Sequence, residues 1–250
     1  MRASPAAEIQ SLQNPWVKEI RKAVRRGSTT DSGLLVAEGM HLYEEALRSG
    51  LWVEAVFAVP EMAKRVEGAS VVPEALMREM TSLDTPAGLI ALVAAPQEKE
   101  LVSGVTVVLD AVQDPGNVGT ILRTAEAFGV ASVVALKGSV DLFAPKVIRA
   151  SSGSVFRVPL RRHLTWEEVS LGELPVYVST VRGGVAPGSV DWSLGAVLVI
   201  GNEGRGVSED LLRAGKAVSI PTVGVESLNA AVAASILIYE ATSFGRGGRR

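Results

Sequence analysis

The chain has 250 residues, 47% of them apolar, with no cysteine, two histidines and a formal net charge of −2. That apolar content can bury a sizeable core in one large or two modest domains, and the missing cysteines exclude disulfides, thiolate nucleophiles, iron–sulfur clusters and most zinc sites. No run reaches the roughly 18 apolar residues of a membrane span and the first residues lack the apolar centre of a signal peptide, so a cytoplasmic protein without membrane contact is expected.

Charge is spread unevenly, residues 1–30 carrying six basic and two acidic side chains. After Asn14-Pro15, residues 16–26 read as a short helix. Lys18, Arg21, Lys22, Arg25 and Arg26 fall at i, i+3, i+4, i+7 and i+8, opposite a narrow stripe of Val17, Ile20 and Val24. Such a helix docks by one face and offers the other to RNA phosphates, although a solvated surface helix carries the same pattern.

From Gly33 to Ala95 strand and helix patterns alternate. LLVAEG reads as a strand, MHLYEEALRSG as a helix closed by Gly50, VEAVFAV as a strand and Pro60 to Val66 as a helix. A short VV strand, a helix from Pro73 to Met80 and a GLIALVA strand complete a small α/β layer. Pro96-Gln97-Glu98-Lys99-Glu100 reads as a linker.

Beyond it VTVVLDA reads as a buried parallel strand, Asp114 to Asn117 as a turn and Val118 to Phe128 as a helix ended by Gly129. ASVVAL is the next strand. Phe143 to Ala150 reads as a helix, Ser151 to Ser154 as a turn and VFRVPL as a strand, after which Thr165-x-x-Glu168 is a capping box opening another helix. PVYVSTV, Ala196 to Ile200 and Ala217 to Ile220 are further strands, and the Gly245 to Arg250 tail is expected to fray. The repetition predicts an α/β fold, a mostly parallel sheet with helices on both faces.

The loops after the last two strands carry the chemistry. Gly201-Asn202-Glu203-Gly204-Arg205-Gly206 holds a carboxylate among three glycines, and Thr222 to Glu226 runs into Ser227-Leu228-Asn229, where Ser227 can cap a helix. Loops at neighbouring carboxyl ends of strands enclose ligands in open α/β sheets. A dinucleotide fold or a phosphate-loop NTPase is disfavoured, because neither GxGxxG after the first strand nor a Walker A sequence is present.

Three ordered segments then match one family. LDAVQDPGNVGTILRTA (109–125), GAVLVIGNEGRGVSEDLL (195–212) and AVSIPTVGVESLNAAVAASILIYEA (217–241) resemble motifs one to three of the SpoU (TrmH) family of RNA ribose methyltransferases, of the SPOUT superfamily. The earlier layer resembles the family's substrate-binding domain, on Glu38-Gly39, the Glu44-Glu45-Ala46-Leu47 helix and Thr85-Pro86-x-Gly88. The resemblance implies a basic extension (1–30), a ribosomal-protein-like RNA substrate-binding domain (31–96) and a methyltransferase domain (97–250) with a deep trefoil knot.

It also implies the site. Ser179, Thr180, Gly201, Asn202, Ile220 and Leu228 match the positions that line the pocket for S-adenosylmethionine, and Arg123 the family's catalytic arginine. Since arginine keeps its proton in nearly all sites, Arg123 is read as a cation that grips phosphate and stabilises alkoxide charge; a surface pair with Glu126 is the plain alternative. Asn117 and Glu203 are candidates for orienting Arg123 or the nucleotide, Ser227 and Asn229 for capping and ligand contact together, and Arg149, Ser152 and Gly153 resemble a segment that presents RNA phosphate. The implied protein is a homodimer that methylates ribose 2′-hydroxyls of ribosomal RNA without a metal; transfer RNA as substrate, or a non-catalytic RNA-binding protein of the ribosome, are the alternatives.

Overall fold

In the computed structural model the described residues are 8–98, 103–169 and 172–243. The C-terminal tail, and Lys99 and Glu100 of the expected linker, lie outside them. The helices are α1 Pro15–Arg26, α2 Met40–Arg48, α3 Pro60–Ala63, α4 Glu74–Met80, α5 Pro115–Phe128, α6 Pro145–Ala150, α7 Glu209–Ala214 and α8 Ala230–Ser243. The strands are β1 Leu34–Glu38, β2 Val53–Ala58, β3 Ser70–Val71, β4 Leu89–Ala94, β5 Val105–Asp110, β6 Ser132–Leu136, β7 Leu160–Leu164, β8 Val176–Ser179, β9 Ala196–Gly201 and β10 Lys216–Val218. They form two compact units, Met1–Gln97 with Phe143–Arg157, and Glu98–Leu142 with Val158–Arg250.

The first unit has a four-stranded sheet in the order β1-β4-β2-β3, antiparallel except where β3 joins β2. Asn14 Oδ1 accepts the Trp16 and Val17 N–H groups at the start of α1, and Gly27 ends the helix in the left-handed region. The face that α1 buries is Val17, Ile20 and Ala23, with Val24 only half-buried. It packs among Phe57, Met77, Met80 and Leu92. Helix α6 belongs to this unit, where Arg149 pairs with the buried Glu38 at 3.4 Å and Arg157 with the buried Glu45 at 2.7 Å.

The second unit is an all-parallel six-stranded sheet, β10-β8-β9-β5-β6-β7. Its central strands β5, β6 and β9 are buried almost throughout, which is why they read as unbroken apolar runs instead of alternating ones. Parallel strands leave their carboxyl ends on one edge, so the loops after β5, β8, β9 and β10 gather there.

Several boundaries differ from those predicted. Helix α5 starts at Pro115, not Val118, because Asp114 Oδ1 accepts the Asn117 N–H at 2.7 Å and Pro115 fits a first turn that needs no donor. VFRVPL is not a strand: Ser154–Phe156 forms a 3-10 turn with Val155 and Phe156 buried, and pairing begins only at Leu160. The Thr165–Glu168 capping box forms, yet it opens only the 3-10 turn Trp166–Glu168. Helix α8 is capped by Asn229, whose Oδ1 accepts from Ala231 N at 2.9 Å and Val232 N at 3.2 Å, and not by Ser227.

Candidate functional site

A cavity of about 340 Å³ opens at the carboxyl ends of β8, β9 and β10. Ser179, Thr180, Gly201, Asn202, Ile220 and Leu228, all six residues expected to hold a methyl donor, lie in its wall with Glu203 and Ser227. Sequence reasoning did not single out Arg205, Thr222 or Glu226, which also line it. Their only signal was position, inside loops already marked by glycine and proline.

The glycine loop after β9 is tied by its own asparagine. Asn202 Oδ1 accepts the Gly204 and Arg205 N–H groups, both at 3.0 Å, and Asn202 pairs through its backbone with Gly206. Asn202 Nδ2 donates to Ala111 O at 2.8 Å, pinning the loop to the end of β5. A Cβ on Gly201 would stand 2.4 Å from both Gly206 C and Val207 N, so the loop folds back only over a bare Cα. Asp110, a buried carboxylate at the end of β5 that sequence reading passed over, accepts the Ser208 N–H at 2.7 Å.

Three predicted catalytic residues form one chain of hydrogen bonds. Asn229 Nδ2 donates to Asn117 Oδ1 at 3.0 Å, and Asn117 Nδ2 donates to Glu203 Oε1 at 3.0 Å. Glu203 also accepts, more weakly, from Gln113 N at 3.4 Å and Asp114 N at 3.3 Å. Burial works against the Glu203 charge, but these donors, with its own backbone N–H, outweigh it and hold the carboxyl below the usual carboxylate range. Glu203 and Asn117 thus join the cavity loop to the first turn of α5, rather than either touching Arg123.

Arg123 sits near the middle of α5, exposed, without an ion pair among the described residues and outside the cavity wall. The surface pair with Glu126 is not formed. Thr124 beside it shares a 2.9 Å hydrogen bond with Ser235 of α8. On α8, Val232, Ile236 and Tyr239 stand exposed at i, i+4 and i+7, a partly open apolar stripe on a helix that is apolar on nearly every side, with the Tyr239 ring meeting that of Phe128 edge-on at 5.4 Å.

The predicted RNA contacts lie in the first unit. Along α1, Arg21 is engaged by Glu79 at 2.9 Å, while Lys22 and Arg26 share Asp31 at 2.8 and 3.3 Å. The Lys22 hydrogen bond above all holds the Asp31 carboxyl below its ordinary range. Lys18 and Arg25 remain without counter-ions among the described residues. Arg149 is held by Glu38, and Ser152 Oγ lies 2.9 Å from His41 Nε2.

The chain resembles known proteins over nearly its whole length. The profile of the SpoU rRNA Methylase family matches residues 104–239, and that of the MRM3-like substrate binding domain residues 14–91. The chain is 34% identical over 242 residues to the 23S rRNA (guanosine(2553)-2′-O)-methyltransferase RlmP of Bacillus subtilis, covering 93% of this chain and 98% of the relative. The AdoMet-bound rRNA methyltransferase of Sinorhizobium meliloti superposes with a TM-score of 0.78 at 31% identity, over 95% of this chain and 97% of the other. The AviRb methyltransferase of Streptomyces viridochromogenes shares the fold, with a TM-score of 0.81 at 23% identity over 95% of this chain and all of its own.

Proposed function

The chain belongs to the SpoU rRNA methylase family, and from that premise we propose that it transfers a methyl group from S-adenosylmethionine to a ribose 2′-hydroxyl of ribosomal RNA. The observation that carries this reading is the cavity itself: the six residues expected to bind the donor line one wall at the ends of three parallel strands. Its volume lies within the roughly 300–1,000 Å³ of small-ligand pockets. Its wall includes Gly201, Gly204 and Gly206, whose bare Cα atoms let main-chain groups approach a nucleoside closely.

S-adenosylmethionine, when bound, supplies a methyl group on a sulfonium sulfur. The chain's residues do the rest. The loops ending β8, β9 and β10 enclose the donor, and the Asn229–Asn117–Glu203 chain fixes the start of α5 against the glycine loop. Arg123, carried on α5, grips phosphate and stabilises the negative charge that develops on the ribose oxygen as its proton leaves. Because Arg123 is exposed and outside its own cavity wall, it serves the site of a partner subunit. The apolar stripe of α8 supports that homodimer, since a second copy would cover Val232, Ile236 and Tyr239.

The remaining expectations belong to the same proposal. The strand order puts β8 and β10 together outside β9, which suits the knotted crossing of loops in the family. Lys18 and Arg25 offer α1 to RNA phosphates, and the exposed ion pairs of Arg21, Lys22 and Arg26 are weak enough in water for phosphates to displace them. Residence in the cytoplasm, beside the substrate, completes the reading. Incubation with methyl-labelled donor and ribosomal RNA lacking its modifications is expected to place label on a ribose, detected as resistance of one phosphodiester to alkali. Failure to bind the donor would instead leave a non-catalytic RNA-binding protein.

A further inference from the structure

Helix α5 carries Arg123, and three contacts hold it along α8. Asn117 meets Asn229 at 3.0 Å near its start, Thr124 meets Ser235 at 2.9 Å further along, and the Phe128 ring meets that of Tyr239 at 5.4 Å at its end. Successive residues of an α-helix are turned by about 100°, so positions i, i+7 and i+11 fall within about 40° of one line. The three contacts therefore form a single seam. Arg123 stands about 100° from Thr124 around the same helix, exposed on the side away from the buried Val118, Ile121, Leu122 and Ala125. Where its guanidinium can reach is thus set by how α5 is turned against α8.

The Thr124–Ser235 contact resists such turning. Thr124 Oγ1 also lies 3.0 Å from Thr120 O, and Ser235 Oγ lies 2.7 Å from Ala231 O. Whichever hydroxyl donates its one proton across the seam, the other can donate to a backbone carbonyl of its own helix. Either order ties one helix backbone to the other. Neither residue lines the cavity. We propose that Thr124 and Ser235 are positioning residues for methyl transfer: their hydroxyl pair fixes the rotation of α5 about its axis and so holds Arg123 at the ribose oxygen. The assignment rests on the functional reading above and adds to it two residues that act through Arg123. A pair that only stabilises helix packing or the dimer would give different kinetics.

The experiment measures single-turnover methyl transfer to ribosomal RNA by protein carrying Thr124→Val, which keeps the branched shape and removes the hydroxyl, or Ser235→Ala on the other helix. Each is expected to lower the rate about tenfold at saturating donor and RNA, within the roughly 10²-fold that a 1 Å misplacement can cost. Affinity for S-adenosylhomocysteine and sedimentation as a dimer should be unchanged, which also shows that the variants fold, and Thr124→Ser should retain most of the rate. The two substitutions together should cost no more than either alone. Added to Arg123→Ala, Thr124→Val should lower the residual rate no further, because the group it positions is gone. A second tenfold loss in that background, no loss from Thr124→Val or Ser235→Ala alone, or a loss that follows dissociation into monomers would overturn the proposal. Wild-type protein that binds the donor and transfers no methyl group would overturn the functional reading, and the proposal with it.

Discussion

A ribose hydroxyl is a poor nucleophile until its proton is lost, and at neutral pH a guanidinium cannot take that proton. In the proposed reaction Arg123 therefore acts by charge. Removing one such stabilising donor typically costs about 10²–10³ in rate. Arg123→Ala is accordingly expected to lower single-turnover methyl transfer by that order while leaving donor affinity unchanged, since its proposed contacts are the RNA phosphate and ribose oxygen rather than the donor. Glu203 gives a pH test. Its folded-state pKa is depressed, so its contribution is complete above the unfolded value of about 4.3 and fades as pH falls through the lower folded value. Amide exchange at Gln113 and Asp114 should rise in that acid window, and Glu203→Gln should abolish the pH dependence. The loops of the cavity wall were legible in the sequence because glycines and strand ends mark them, while the six proposed donor contacts came from the resemblance to the family's motifs. Glu203's role was not, since its partners lie about 90 positions away and only folding brings them within reach.

Elements show where local signals compete. Ser227 and Asn229 are both good caps, and sequence alone favoured the first. The helix starts where the backbone turns helical, and it is Asn229 that meets the free N–H groups of Ala231 and Val232. Asn229→Ala should cost about 1 kcal/mol in denaturant unfolding and also cut the link to Asn117, whereas Ser227→Ala should leave stability unchanged. Asp114-Pro115 reads equally as a turn or a helix start, and the turn was preferred wrongly. VFRVPL has strand composition, but Val155 and Phe156 find burial in a 3-10 turn of the first unit while the polar Arg161-Arg162-His163 run takes the ladder. The continuous apolar strands β5, β6 and β9 offered no such choice, and their existence and parallel pairing were plain from composition.

The largest scale is where a single chain says least about itself. An apolar helix such as α8 looks the same in sequence whether it is buried in a core or shared between subunits. Only the exposure of Val232, Ile236 and Tyr239 beside buried Ala234, Leu237 and Ile238 separates the two. Ile236→Glu is expected to shift sedimentation from dimer to monomer and to remove methyl transfer while leaving donor binding in place. The assignment of Arg123 to the partner's cavity has a more direct test in mixed dimers. Arg123→Ala and Gly201→Val homodimers should each be inactive, the first lacking the cation and the second having its cavity loop forced open. Mixed in equal amounts after exchange of subunits, they should regain about a quarter of wild-type methyl transfer, because half the dimers are mixed and each of those holds one complete site. No recovery, with subunit exchange verified, would contradict a site assembled from one subunit's cavity and the other's arginine.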